Sequence, residues 1–258
     1  MKKKLISLFL IICLFSFVGV AKASDFDIGK SFNITQVGTA DNNNLTFAAG
    51  SPANIYEYSA TSESGEVYEA FCIDPHMSFM GGDYTVQTGE SSEYLAGVSA
   101  IISSGGSYIA KDVAIWAFTY GFMKPMGLYS GTHTNFQADG STGNKASAFT
   151  NFGVDWACSS ENSSYASQLG LSGGNCASTL RSRMNYSGYN SSITLYDNGT
   201  GILSEAQSLF NQAMAAAANA KSGGSSNSSE GGFTLNASLG DVAVNESTVE
   251  IIATFDFE

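Results

Sequence analysis

Histidine is almost missing from this chain: His76 and His133 are the only two in 258 residues. A zinc site would have to recruit carboxylates or a cysteine in their place, and no ligand spacing supports one, so no metal and no cofactor is expected. A cysteine hydrolase needs a histidine beside its nucleophile. Only His76 lies near Cys72 in sequence, beyond Pro75, and no catalytic signature surrounds it. Positive charge is scarce as well, 11 Lys/Arg against 23 Asp/Glu. A surface of that sign repels phosphate backbones, which excludes nucleic acid as a natural partner. Charged residues of either sign make up only 13 % of the chain. Ser, Gly, Asn and Thr outnumber them, a composition of extracellular β-rich proteins in which long helices are not expected.

Long apolar runs are scarce too, and the one at the N-terminus has a specific form. Lys2, Lys3 and Lys4 precede an apolar stretch from Leu5 to Val20, followed by Ala21-Lys22-Ala23. A basic start, a short apolar core and small residues at the two positions a signal peptidase reads define a secretory signal peptide over residues 1–23. The run is short for a membrane span. Ile12 before Cys13 does not suit a lipoprotein anchor. Cleavage after Ala23 leaves seven Lys/Arg against 23 Asp/Glu, a formal net charge of −16. The expected location is secreted or cell-surface, with membrane contact only through the leader before cleavage. The mature chain is long enough for one substantial domain.

Of four cysteines, Cys13 falls in the leader, leaving Cys72, Cys158 and Cys176. Export permits disulfides. Cys158 and Cys176 flank a polar loop, and a bridge there would contribute about 3 kcal/mol in the chain-entropy account. That pairing leaves Cys72 odd, which in a secreted chain needs a reason.

Along the chain, residues 24–88 read as strands: SFNITQVG, LTFAAG, NIYEYSA and EVYEAFCI are rich in β-branched and aromatic residues and separated by Gly, Asn, Ser and Pro. A helix comes next, with Leu95, Val98, Ile101 and Ile102 at helical spacing, Ser91 or Ser92 as cap and Gly105-Gly106 as stop. A second covers 108–123, with Val113, Trp116, Ala117 and Tyr120 on one face and Lys124-Pro125 closing it. Residues 124–200 read as loop-rich. A third helix covers 203–221, with Ser204 as N-cap and Leu209, Phe210, Ala213 and Met214 as its packing stripe. Residues 222–232 are a Gly/Ser linker by composition. Residues 233–258 alternate like strands and either end the domain, which spans 24–221, or start an Ig-like module.

Two of these segments together resemble the thioester domains of Gram-positive surface adhesins. In those domains an aromatic-Cys-aliphatic-Asp strand is followed by a helix reading Thr-Gln-x-Ala-aliphatic-Trp. Phe71, Cys72, Ile73, Asp74 and Pro75 match the strand motif; Ala114, Ile115 and Trp116 match the end of the helix motif. The detailed match spans about residues 68–120. The resemblance implies an α+β fold, a β-sandwich-like body with a helical subdomain. It also implies that Cys72 and position 112 meet, with Phe71, Asp74, Ala114 and Trp116 lining the pocket. In the family, Cys and Gln side chains condense to an internal thioester with loss of ammonia, which a lysine amine on a host protein can then open. That is single-turnover capture, so an enzyme is not expected.

This chain departs from the pattern where the chemistry lies. Lys111 stands in place of Thr and Asp112 in place of Gln. An ionised carboxylate is a poor electrophile, and Asp is one methylene shorter, so a spontaneous Cys72–Asp112 thioester is not expected. Gln87 and Gln137 lie in no matching motif. Beside a carboxylate and buried, the Cys72 thiol would be held protonated. Two readings of the pair stay open: a buried structural cysteine with an ordinary helical aspartate, or a capture fold retained for non-covalent adhesion to a host or extracellular-matrix protein, with the cell wall reached through a downstream region. The rival classes are a Cys72 hydrolase and a ligand-free stalk module. DGSTGN (139–144) and DNGTGILSE (197–205) read as turns before calcium loops, and FMKPMGLY (122–129) as a packed loop before an adhesive patch.

Overall fold

The computed structural model describes residues 13–14, 29–40, 44–48, 50–73, 75, 82–85, 90–131, 141–172 and 174–222. The chain is α+β, 46 % helical and 19 % strand. Helix outweighs strand, against the composition-based expectation. Strands β1 (Cys13–Leu14), β2 (Ser31–Thr39), β4 (Tyr56–Ser62), β5 (Val67–Ala70) and β6 (Gly82–Thr85) form one antiparallel sheet in the order β1-β5-β4-β2-β6. A separate ribbon pairs β3 (Leu45–Phe47) with β7 (Leu195–Asp197). The helices are α1 (Ser92–Ser103), α2 (Tyr108–Trp116), α3 (Ser141–Ala157), α4 (Ser163–Gln168), α5 (Cys176–Arg183) and α6 (Ile202–Lys221). The Gly/Ser linker beyond Ser222 and residues 233–258 lie outside the described residues.

Period-two alternation sets the sheet. Phe32 and Ile34 on β2, Tyr58 and Ala60 on β4, and Tyr68 and Ala70 on β5 are buried in one cluster with Cys72, while Asn33 and Thr35 on the other face are exposed. The β2–β4 register shifts between Gln36 and Gly38, a bulge beside the exposed Val37. β1, inside the expected leader, takes the outer edge by pairing Cys13 with Ala70 and Leu14 with Glu69.

A larger core joins the helices. α1 begins where Ser91 caps it, its side chain accepting from the Tyr94 amide at 3.2 Å. α6 packs across α1 and α2 through Leu209, Phe210, Ala213 and Met214, all at most 2 % exposed. Its N-terminus is capped differently from expectation. Gly201 stands at the cap with φ +79°, and Asp197 supplies the acceptors. One Asp197 oxygen accepts from the Thr200 and Gly201 amides and the Thr200 hydroxyl, and the other from the Leu203 amide. Ser204 lies inside the first turn instead. The DNGTG segment is therefore a helix-capping loop.

The second helix does span 108–123, but not as one regular rod. After Trp116 it widens into a π-helical stretch, Ala117–Met123, and the Lys124 amide donates to Thr119 O, five residues back, at 2.9 Å. The FMKPMGLY turn packs as expected, with Phe122, Met123 and Tyr129 buried. Lys124 there donates to Gly131 O and sits 5.5–6.0 Å from the ring centres of Tyr120, Tyr129 and Tyr186.

Residues 124–200 are not predominantly loop. α3, α4 and α5 lie there, and α3 was hidden by its Thr, Asn and Gly content, which lowers helix propensity. Its glycine has a packing reason: a Cβ on Gly153 would stand 2.0 Å from Ala117 O, so α3 and the π-helical stretch approach as closely as backbones allow. Cys158, just past α3, and Cys176, at the start of α5, form the expected disulfide, with Cα atoms 5.5 Å apart.

Candidate functional site

The site is assembled by a stripe on α2 and the strand end that leaves β5. Tyr108, Asp112 and Trp116 recur every four residues, so they stack one above another on a single face of α2. The two outer members grip the strand. The Tyr108 hydroxyl donates to Ala70 O at 2.6 Å and accepts from the Tyr58 amide at 3.3 Å. It thereby stands where a direct β4–β5 ladder bond would close and opens the ladder at its end. The Trp116 indole Nε1 donates to Cys72 O. Asp112 lies between these grips on the helix, as Phe71 does on the strand.

Alternation continues past β5 and splits the strand end between the two cores. Phe71 and Ile73 belong to the helical core, and Cys72 to the sheet cluster. Phe71 stacks on Tyr108 with ring centres 4.6 Å apart. Trp116 is 3 % exposed and leans on Phe149 of α3 at 4.8 Å, so it both anchors α2 and walls the Cys72 segment. Ala114 is fully buried in the same core as Phe71 and Trp116. Cys72 is buried and outside the disulfide. Asp74, His76, His133, Gln87 and Gln137 lie outside the described residues.

Asp112 is fully buried, and neither carboxylate oxygen has a hydrogen-bond partner. Burial pushes its carboxyl well above the usual carboxylate range; Lys145 opposes the rise and Glu69 adds to it. Burial therefore favours the protonated carboxyl over the ionised one. Burial first, then the charges of Cys72 and Asp112, push the Tyr58 hydroxyl up. Burial first, then chiefly Asp112, with Cys72 a lesser cause, does the same to Tyr108. Both tyrosines therefore feel both Cys72 and Asp112.

Lys111 is 8 % exposed and pairs with Glu69 at 3.4 Å while lying 6.0 Å from the Phe71 ring centre. Lys145 of α3 donates to Asn54 O at 3.3 Å and lies 5.3 Å from the Trp116 ring centre. Sequence reasoning missed Tyr58, Tyr108 and Lys145. The four-residue spacing from Asp112 could have found Tyr108. Lys145 was hidden because its helix read as loop. Among the described residues, no group of three or more His, Cys, Asp or Glu could hold a metal, and no helix is long and apolar enough to cross a membrane.

No protein-family model, curated protein or solved structure matches the chain.

Proposed function

We propose that this protein is an exported, surface or secreted adhesin-like module, similar in build to thioester domains, that attaches non-covalently to a host or environmental macromolecule. The observation that carries the reading is the double grip of α2 on the strand end. Tyr108 holds Ala70 and Trp116 holds Cys72 from either side of position 112. The backbone of the Cys72 segment is thus held against α2 on either side of position 112, which supports the meeting of the two that the resemblance implies. The residue at that position supplies a carboxyl in place of a carboxamide, so ammonia is not available as a leaving group. Non-covalent adhesion is the use of the scaffold that remains.

The test is capture by the immobilised chain beginning at Ser24, probed with a panel of purified extracellular-matrix proteins. The expected result is binding that denaturant reverses and that alkylation of Cys72 leaves intact. A conjugate that survives boiling in detergent would overturn the non-covalent reading. Turnover of an ester or peptide substrate that alkylation of Cys72 abolishes would replace it with the hydrolase.

A further inference from the structure

The loop that caps α6 carries the one Asn-Gly pair in the chain, Asn198-Gly199. An asparagine can be attacked by the amide nitrogen of the residue after it, because that nitrogen and the carboxamide carbon close a five-membered ring. Glycine favours the closure, since it has no side chain to hinder the approach or confine the backbone. Both residues are exposed. Gly199 has φ +85°, and a Cβ there would stand in open space. The Thr200, Gly201 and Leu203 amides are all committed to Asp197. The Gly199 amide donates to no acceptor among the described residues.

The carboxamide side of the pair is held. The Asn198 amide donates to Asn44 O at 3.0 Å, and the Thr46 hydroxyl donates to Asn198 Oδ1 at 3.4 Å. A donor on that oxygen draws electron density from the carbon to be attacked and stabilises the oxyanion that attack creates. Other asparagines lack this combination. Asn151, Asn211 and Asn219 lie inside α3 and α6, where the following amide is committed to the helix ladder. Asn162 is fully buried, its side chain donating to Trp156 O and Asn211. Asn33, Asn185 and Asn190 are exposed, but Ile34, Tyr186 and Ser191 follow them, and a Cβ confines the backbone that must fold back.

We infer that Asn198 is a site of spontaneous covalent modification, at which an isoaspartyl linkage forms and loosens the cap of α6. The Gly199 nitrogen bonds to Asn198 Cγ, the Cγ–Nδ2 bond breaks, and ammonia leaves with the proton that the Gly199 amide gives up. Water then opens the cyclic imide at either carbonyl. Opening at the main-chain carbonyl leaves a free α-carboxylate and a backbone that runs through the side chain, longer by one methylene. That methylene enters between Asp197 and the Thr200, Gly201 and Leu203 amides that its carboxylate caps. α6 packs across α1 and α2, so the change falls at the main joint of the helical half. The inference is independent of the adhesive reading.

The test keeps the chain beginning at Ser24 at mildly alkaline pH, folded and in denaturing urea. Peptide mass spectrometry then maps conversion, with enzymatic methylation to mark isoaspartate. In the folded chain Asn198 should convert before any other described asparagine, gaining the mass of water less that of ammonia. In the converted fraction the Leu203 amide should exchange hydrogen roughly tenfold faster, with α1 amides unchanged. Freshly made Asn198→Asp gains the charge without the methylene and should exchange like the wild type. An Asn198 that stays intact in the folded chain, whether or not the denatured chain converts, would overturn the inference, as would earlier conversion of another described asparagine. Equal exchange at Leu203 in converted and unconverted chains would overturn the loosening of the cap. So would the same loss of protection in Asn198→Asp, since charge would then be its cause.

Discussion

The helical half and the sheet half of this protein bury their side chains on different terms. Around α6 the interior is apolar and interlocked: Phe210 meets Phe118 and Trp156 edge-on at 5.9 and 5.6 Å. The sheet cluster is smaller and is built on tyrosines whose hydroxyls need partners. The two meet where β5 ends, and there Asp112 of α2 is fully buried with neither carboxylate oxygen satisfied. Packing holds the halves. The join is held by the Tyr108 and Trp116 hydrogen bonds and the Lys111–Glu69 ion pair and contains a buried acid, an arrangement that native proteins rarely tolerate without a functional reason.

The largest expected effect lies in the helical half. Phe210→Ala removes a fully buried ring and should cost about 3–5 kcal/mol. Ile34→Val in the sheet cluster removes one methylene and should cost about 0.5–1.5 kcal/mol. Urea titration of both variants checks the pair, and a reversed order would break the contrast between the two interiors. Trp116→Phe keeps an aromatic ring but leaves Cys72 O without its donor. A loss of about 1–3 kcal/mol is expected, with faster modification of the Cys72 thiol by an aromatic disulfide reagent. Unchanged thiol reactivity would mean that Trp116 does not close the seam.

The effect that is smallest at about pH 4 and grows as pH rises, the most diagnostic of the set, comes from Asp112→Asn. The folded carboxyl has a raised pKa, so between its ordinary value and the raised one the folded state holds a proton that the unfolded state has released. Stability of the wild type should therefore fall as pH rises from about 4. The Asn variant should lack that descent, with the two chains converging below about pH 4. Denaturant midpoints measured at intervals from pH 3 to pH 8 check this. Parallel profiles would show that Asp112 ionises equally in both states and is not held neutral.

Much of this was legible in the residues. The Ser91 cap, the α6 stripe and the Cys158–Cys176 bridge obey local rules that tertiary context did not override. The meeting of the Cys72 strand with α2 was indicated by the two short motifs. Three features were not legible, each for a physical reason. α3 carries Gly153 where it lies against Ala117 and Gly121, so close packing outweighed propensity there. The α6 cap comes from Asp197, seven residues before Ser204, through a loop that sequence spacing does not reveal. The raised pKa of Asp112 comes first from complete burial, which an aspartate in a helix does not announce.

The central claim is that α2 grips the Cys72 segment on either side of position 112, and the proposal is that the residue there decides whether the seam reacts. Intact mass of the chain beginning at Ser24 tests it most directly, measured for wild type and Asp112→Gln with and without methylamine. The account predicts no deficit in the wild type beyond the two hydrogens of the Cys158–Cys176 disulfide, and one reactive thiol on denaturation. For Asp112→Gln it predicts a mass short by one ammonia, with methylamine adding at that bond. A wild type short by one water or one ammonia, or an Asp112→Gln chain of full mass, would contradict it.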